Sequence, residues 1–231
     1  MKTVERLSPE DLERLRNITT PTIANAIERL KLRGNDEGYM GATIRCFFPA
    51  LGPIAGYACT AVIRSRHPNP RPKYGSRRPY WEHILQCPAP RIAVVQDLDQ
   101  PPAGAYFGEV NSNIHRRLGC VGLITDGAVR DLDEVQALGF PFFASAVSVS
   151  HAFAHLEDFN IPIEVGGLAV RPGDLIVADK HGAILIPEGA GRQIIAAAKD
   201  VEEYERPMIE LCKSQEFSTE RLAELLEHEG V

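Results

Sequence analysis

The middle of this 231-residue chain alternates short apolar runs with amphipathic segments, and this alternation constrains the fold more than any other feature. The runs at 91–96, 121–125 and 141–146 have the length of buried strands and are bounded by turn-forming residues. The segments at 111–118 and 131–138 are predicted to be helices. Strands that alternate with helices in this way indicate an α/β protein.

The two ends of the chain are predicted to be helical. Residues 8–33 begin with Ser8 as an N-cap and Pro9 in the first turn, and Thr20 opens a second helix. Residues 189–228 form the C-terminal helices, with a kink or restart at Pro207. The remaining predictions are strands at 43–47, 56–63, 161–170, 174–178 and 182–186, a proline- and arginine-rich loop at 67–79, and a short helix at 80–85.

These elements predict one domain over residues 1–231. The domain is of the α/β class with mixed sheets, in which N-terminal helices at 8–33 and C-terminal helices at 189–228 flank a core at 40–188. Hydrophobic residues make up 44% of the chain, which is enough for a sizeable core.

Charge and cysteine content narrow the classes of function. The net charge of −6 argues against broad nucleic-acid binding, although arginines and a lysine crowd into 64–78. No apolar run approaches the ~20 residues of a membrane helix, and residues 1–6 lack the apolar core of a signal peptide. The five cysteines are odd in number and contain no C-x-x-C pair, which favours reduced thiols in the cytoplasm over disulfides or structural zinc.

The stretch at 122–133 carries the strongest sign of chemistry. Its apolar run leads into Asp126-Gly127, which we interpret as a turn, and then presents Arg130 and Asp131 side by side just before a helix. A guanidinium fits a carboxylate through two parallel hydrogen bonds, and a carboxylate is the ligand that Mg²⁺ or Mn²⁺ prefers. Upstream, Glu109 follows a glycine that permits close backbone approach.

Each of these features also has a plainer interpretation. An isolated Arg-Asp pair is usually a surface ion pair at a turn, and Glu109 alone is equally well explained as a solvated acid at a helix start. His151 and His155 have helical i, i+4 spacing, but without an H-E-x-x-H motif a two-histidine metal site is not favoured. The sequence contains no Walker, dinucleotide or G-x-S-x-G motif.

Taken together, these residues resemble the family that joins class II pyruvate aldolases acting on 4-hydroxy-4-methyl-2-oxoglutarate with the RraA regulators of ribonuclease E activity. The aldolases carry an acid, twenty intervening residues and then Arg-Asp, a spacing that Glu109, Arg130 and Asp131 reproduce. The resemblance covers roughly residues 15–215. It rests on 20–26, Gly108-Glu109, 122–131, Phe140-Pro141, 171–174, 178–179 and 181–182.

The resemblance implies a swivelling β/β/α-type sandwich that assembles as a homotrimer or homohexamer with active sites between subunits. It implies that Asp131 holds Mg²⁺ or Mn²⁺ largely through waters, that Glu109 contacts metal-bound water, and that Arg130 binds the pyruvyl unit. The substrate carboxylate would lie on the backbone amides that follow the acid. The further residues that the resemblance assigns are Gly108, Val110 and Asn111 for substrate, and one of Glu202, Glu203 and Glu205 from a neighbouring subunit.

Two functions follow as hypotheses. The first is a lyase that cleaves or decarboxylates a 2-oxo acid, such as 4-hydroxy-4-methyl-2-oxoglutarate or oxaloacetate, through a pyruvate enolate. The second is a non-enzymatic regulator that binds a ribonuclease or another protein. Retention of Glu109, Arg130 and Asp131 together favours the enzyme. A third possibility, an unrelated substrate, stays open because 148–155 has two histidines and no lysine where the aldolases usually carry a Gly-Thr-Val-Lys type of segment.

Overall fold

The computed structural model describes residues 6–227, so the predictions made for 1–5 and for position 228 lie outside the described residues. Within that range the chain forms seven α-helices, one short 3₁₀ helix at Pro49–Leu51 and two β-sheets. The helices are α1 Pro9–Arg16, α2 Thr20–Arg29, α3 Arg78–Gln86, α4 Glu109–Arg117, α5 Leu132–Leu138, α6 Gly191–Lys213 and α7 Thr219–Glu227. The strands are β1 Arg45–Cys46, β2 Ile54–Arg64, β3 Arg91–Asp97, β4 Ala105–Phe107, β5 Cys120–Val129, β6 Phe142–Val147, β7 His155–Phe159, β8 Ile163–Val165, β9 Leu168–Val170, β10 Leu175–Asp179 and β11 Gly182–Leu185.

The larger sheet is mixed, as predicted. Its order is β1-β6-β5-β3-β2-β10-β11, with β4 paired to β5 and β7 paired to β2. The sheet contains four parallel pairs, which are β2–β3, β3–β5, β5–β6 and β4–β5. The carboxyl ends of these parallel strands therefore meet at one edge of the sheet, which is the edge where α/β proteins usually bind ligands.

Three apolar clusters hold the layers together. Alternate residues of β2, β3, β5 and β6 point to opposite faces, so that one face packs on α3 and α5 while the other packs on the β8–β9 hairpin. The third cluster joins α1, α2 and α6 to β10 and β11. Fully buried aromatic residues such as Phe142 and Phe143 stabilise the fold by roughly 1.5–3 kcal/mol each.

The N-terminal helices form where the sequence predicts them. The Ser8 hydroxyl accepts a hydrogen bond from the Asp11 amide at 3.1 Å, and Pro9 occupies the first helical position. Helix α2 is shorter than predicted, since it ends at Arg29 and not near 33. Lys31 has a φ of 53°, a left-handed conformation that an α-helix cannot continue through.

Three details of the sequence prediction are wrong. Asp126-Gly127 is not a turn, because β5 continues to Val129 and absorbs the pair as a register shift against β6. The single strand predicted at 161–170 is a hairpin, since Gly166 and Gly167 both take positive φ and reverse the chain. The restart predicted at Pro207 is absent, and α6 is one helix of 23 residues.

The sequence prediction also missed the two short strands β4 and β7. Strand β4 has three residues and is too short for a hydrophobic period to stand out. None of the helices in residues 6–227 has the length and apolarity that crossing a membrane requires.

Candidate active site

Parallel pairing of β4 and β5 builds the candidate site. Phe107 lies opposite Val129, and the Phe107 carbonyl accepts a hydrogen bond from the Arg130 amide at 3.0 Å. Both strands end at these residues, so Gly108 and the Arg130-Asp131 pair leave the same sheet edge side by side. Residues separated by more than twenty positions in sequence thus become direct neighbours.

Gly108 is required at this place by close contact and not by its backbone angles, which are extended. A β-carbon on this residue would lie 2.3 Å from Asp131 Oδ2 and 2.9 Å from Arg130 Cγ. No real β-carbon tolerates such distances, so any other residue would displace the Asp131 carboxylate.

Asp131 combines backbone strain with an available carboxylate oxygen. Its φ of 55° and ψ of 49° are left-handed, a conformation that costs a non-glycine residue on the order of 1 kcal/mol. Its Oδ2 accepts a hydrogen bond from the Glu109 amide at 2.9 Å and lies 3.6 Å from Arg130 Nε. Its Oδ1 has no hydrogen-bond partner in residues 6–227. The Arg130 and Asp131 side chains are 35% and 36% exposed, so a ligand can reach both.

The first turn of α4 adds two amide donors. Gly108 is the N-cap, and its carbonyl accepts the Ser112 amide at 3.0 Å. The Glu109 amide is taken by Asp131, whereas the amides of Val110 and Asn111 bond to no other described residue. Free amides in a first helical turn, together with the positive end of the helix dipole, favour a bound anion.

The Glu109 side chain is exposed and makes no hydrogen bond or ion pair within residues 6–227. The structure therefore brings the backbone of Glu109 to Asp131, while the carboxylate itself projects toward solvent. The Asn111 side chain is committed, since its amide group donates to the Tyr106 carbonyl and its Oδ1 accepts from Arg77. Only the backbone amide of Asn111 remains for a ligand.

The side chains at this edge can be compared with the ligands that the implied divalent metal would need. No group of three or more histidine, cysteine, aspartate or glutamate side chains in the described part of the chain is arranged to hold a metal ion. One open carboxylate oxygen, on Asp131, does fit a hydrated Mg²⁺ or Mn²⁺, because Mg²⁺ keeps several waters and often takes only one or two protein carboxylates. The residues fit a weakly held ion of this kind and not a fully protein-ligated one.

The three C-terminal glutamates lie in another layer of this chain. Helix α6 packs against α1 and α2, where Glu205 accepts a hydrogen bond from Asn25 at 3.2 Å and Glu203 pairs with Lys199 at 3.3 Å. Glu202 is exposed. Among the described residues none of the three contacts Glu109, Arg130 or Asp131, and the role predicted for one of them in a neighbouring subunit stays a prediction.

The two histidines with helical spacing are not on a helix. His151 lies in an irregular segment and bonds the Ala152 carbonyl, while His155 begins β7 and pairs with Glu157 at 2.7 Å. Since each ring is occupied locally, the arrangement does not support a joint metal site. All five cysteines are free thiols.

Buried polar groups near the site escaped the sequence analysis. His115 on α4 donates from Nδ1 to the Asn111 carbonyl at 2.7 Å, and its Nε2 accepts from the Tyr80 hydroxyl at 3.0 Å. Burial lowers the pKa of His115 to about 4, so the ring is neutral at pH 7. Its position on the buried face of α4, four residues after Asn111, was the one signal that the sequence offered.

Two further carboxylates, Asp97 and Asp126, lie close together behind the sheet edge. Asp126 Oδ1 accepts a hydrogen bond from the Asp97 amide at 2.7 Å. Burial, with the nearby Asp97 and Glu164 charges, raises the pKa of Asp126 to about 6. The interpretation of Asp126-Gly127 as a turn concealed this group, because a turn would have placed its carboxylate in solvent.

A cavity of about 970 Å³ lies elsewhere, between the chain around Leu7 and the turns near Pro172 and Pro187. None of the proposed site residues lines it. The residues with the chemistry described above instead surround an open sheet edge outside this cavity.

Comparison with solved structures agrees with the fold. An uncharacterised protein from Pseudomonas syringae superposes with a TM-score of 0.76 at 22% identity, covering 97% of this chain and 96% of that one. Streptomyces coelicolor RraAS2, described as an unusual member of the RNase ES inhibitor RraA protein family, gives a TM-score of 0.69 at 23% identity, covering 87% and 96%. These likenesses show a shared RraA-like α/β fold, as the sequence predicted.

Sequence comparison is more specific about the family. A Halalkalibacterium halodurans protein with the provisional name 4-hydroxy-4-methyl-2-oxoglutarate aldolase is 33% identical over 112 residues, which is 48% of this chain and 53% of the relative. The match thus spans about half the length of that relative. The RraA-like family model, described as Aldolase/RraA, matches residues 20–185, a range that includes the whole β4–β5 site. The chain therefore belongs to the Aldolase/RraA family.

Proposed function

We propose that this protein is a divalent-metal-dependent lyase that cleaves or decarboxylates a 2-oxo acid through a pyruvate enolate. The observation that carries the proposal is the meeting of Arg130, Asp131 and two unbonded α4 amides at one sheet edge. Family membership and the aldolase name of a relative support the same class of chemistry.

In this proposal the substrate carboxylate lies between Arg130 and the first turn of α4. The guanidinium donates two parallel hydrogen bonds, and the amides of Val110 and Asn111 donate from the other side. Gly108 leaves the space that this arrangement needs, because its missing β-carbon lets Asp131 stand beside the helix terminus. The 2-oxo group is thereby directed toward Asp131.

Aldol cleavage breaks the C3–C4 bond of a 4-hydroxy-2-oxo acid. The hydroxyl on C4 loses its proton and becomes the carbonyl of one product, while the electron pair passes to C3 and delocalises as the enolate of pyruvate. Arg130 stabilises this charge with a fixed cation. The exposed Glu109 carboxylate is suited to moving the hydroxyl proton through an intervening water. Decarboxylation of oxaloacetate ends at the same enolate.

A divalent ion would be held at Asp131 Oδ1, with Glu109 in reach of its waters. The chemistry that Mg²⁺ or Mn²⁺ supplies there is electrostatic stabilisation of the negative charge on the 2-oxo oxygen. We further propose that the protein is a homotrimer or homohexamer, in which Glu202, Glu203 or Glu205 of one subunit completes the site of the next.

A pyruvate-release assay tests the function. Purified protein with Mg²⁺ or Mn²⁺ is expected to release pyruvate from a 4-hydroxy-2-oxo acid or from oxaloacetate, and EDTA is expected to stop the reaction. Arg130→Ala should lose activity by a factor of about 10² or more because a charge-assisted contact disappears, while circular dichroism stays unchanged. Arg45→Ala, an exposed arginine on β1, is the matched control.

Full activity of Arg130→Ala would remove the proposed mechanism. The other function that remains is regulation of a ribonuclease, since a solved neighbour carries the name of an RNase ES inhibitor. Stoichiometric capture of a ribonuclease, with no pyruvate released from any substrate of the panel, would favour that alternative.

A further inference from the structure

Arg77 occupies a fixed place beside the first turn of α4. Its Nη1 donates a hydrogen bond to Asn111 Oδ1 at 3.2 Å, and its guanidinium lies 5.2 Å from the centre of the Tyr106 ring. An amide oxygen and an aromatic face together orient a guanidinium without neutralising it. Arg77 is the last residue of the proline- and arginine-rich segment that precedes α3.

Two other arginines of this region are paired with acids. Arg64 lies 3.1 Å from Asp99, and Arg78 lies 2.7 Å from Glu82. Arg77, in contrast, has no carboxylate within 4.0 Å in residues 6–227, and its remaining N–H groups have no hydrogen-bond partner there. The residue is exposed, so an anion can approach these groups from solvent.

The guanidinium lies near the proposed substrate. One hydrogen bond of 3.2 Å and four covalent bonds separate Arg77 Nη1 from the Asn111 amide nitrogen, which places the two atoms no more than about 9 Å apart. That amide is one of the two that we assign to the substrate carboxylate. A short ligand held at that amide could therefore also reach the Arg77 guanidinium.

We propose that Arg77 is a specificity-determining residue that binds a second carboxylate, at the far end of a 2-oxo dicarboxylate. This inference rests on the proposed function, because it takes Arg130 and the α4 amides as the site of the first carboxylate. A Lys or a neutral residue at position 77 cannot reproduce the two-pronged geometry of a guanidinium.

Binding of two uncleavable probes tests the proposal. 2-Oxoglutarate and 2-oxopentanoate have the same chain length and differ only in the carboxylate at C5, and neither carries the 4-hydroxyl that aldol cleavage needs. Calorimetry on the full protein with Mg²⁺ is expected to give wild type a preference for 2-oxoglutarate of about 10- to 100-fold, the worth of one charge-assisted contact.

Arg77→Gln is expected to bind both probes with nearly equal affinity, while its affinity for 2-oxopentanoate stays within about twofold of wild type. Arg77→Lys should recover part of the preference. Arg71→Gln is the matched control, since this exposed arginine lies in the same segment and its side chain contacts no acid in the described chain. Its preference should equal that of wild type.

Three results would overturn the proposal: equal binding of the probes by wild type, no binding of either probe, or an undiminished preference in folded Arg77→Gln. Failure of the proposed lyase looks different. In that case no substrate yields pyruvate, yet the Arg77-dependent preference for 2-oxoglutarate persists.

Discussion

Asp97 ends β3 and Asp131 lies two residues beyond the end of β5, at the same edge of the sheet, but their environments are opposite. Asp97 is 1% exposed, and its two oxygens accept hydrogen bonds from the Asp99 amide at 3.0 Å and the Ser65 hydroxyl at 2.9 Å. Asp131 is about one-third exposed, and one of its oxygens has no partner in residues 6–227.

The difference separates a structural carboxylate from one available for chemistry. Hydrogen bonds to both oxygens tie Asp97 to the chain just after β2 and β3, and burial keeps the carboxylate away from a ligand in solvent. The Asp131 carboxylate is held at a single oxygen by the Glu109 amide, which fixes its orientation and leaves the other oxygen open. Residue type alone does not distinguish the two, because both are aspartates after apolar strands.

The largest effect is expected from Asp131→Asn. The substitution keeps the shape of the side chain but removes the charge that would hold a divalent ion, so turnover should fall about 1,000-fold, equivalent to about 4 kcal/mol. The free energy of unfolding should change by less than about 1 kcal/mol, since the Glu109 amide still finds an oxygen. Steady-state kinetics and urea unfolding measure the two quantities, and a variant with near-normal turnover would contradict the contrast with Asp97.

Asp97→Ala should show the reverse behaviour. Loss of the carboxylate leaves the Ser65 hydroxyl and the Asp99 amide unsatisfied in a buried place, which should lower the free energy of unfolding by about 3 kcal/mol. Urea denaturation checks this value, and activity per folded molecule should stay within a few-fold of wild type. A stable Asp97→Ala protein that lacks turnover would instead identify Asp97 as part of the active site.

The smallest effect is expected from Asp126→Asn. This substitution should change the free energy of unfolding by about 1 kcal/mol, and the change should depend on pH. The folded pKa of Asp126 is raised from 3.8 to about 6, so ionisation in the folded state is disfavoured and costs stability as pH rises through that interval. Asparagine can still accept the Asp97 amide hydrogen bond and carries no charge. The variant should be more stable than wild type above pH 6, with the gain vanishing below pH 4.

Unfolding experiments at several pH values measure this gain. The expected gain in stability is smaller than the whole pKa shift would give, because the Asp126 carboxylate is only partly buried and solvent screens its charge. A gain of equal size at pH 4 and pH 8 would mean that packing, and not ionisation, causes it.

The sequence predicted the elements whose signals are local. The N-cap of α1, the buried strand β3 and the helix that follows Asp131 appear close to their predicted bounds, because caps and hydrophobic periods act over a few residues. The strand break predicted at Asp126-Gly127 failed for a non-local reason. Both flanking strands, β4 and β6, supply hydrogen-bond partners that keep β5 extended through the bulge.

The candidate site shows the same division. Spacing and residue type singled out Glu109, Arg130 and Asp131 and, with the family resemblance, the chemistry proposed for them. Sequence reasoning did not reveal which part of Glu109 meets Asp131, and the contact is through its backbone amide. Arg77 was visible only as one of several basic residues in a loop, because nothing local marks it as a neighbour of Asn111.

The sequence by itself determined the α/β class, the family and the three residues on which a function can be proposed, since each follows from residue identity at short spacing. Only the tertiary structure decided that Gly108 leaves room for Asp131, that Asp97 is bonded at both oxygens and that Arg77 stands unpaired by any acid of the described chain beside α4. Those facts depend on the register between distant strands and on contacts across the fold. One sequence carries no local signal for either.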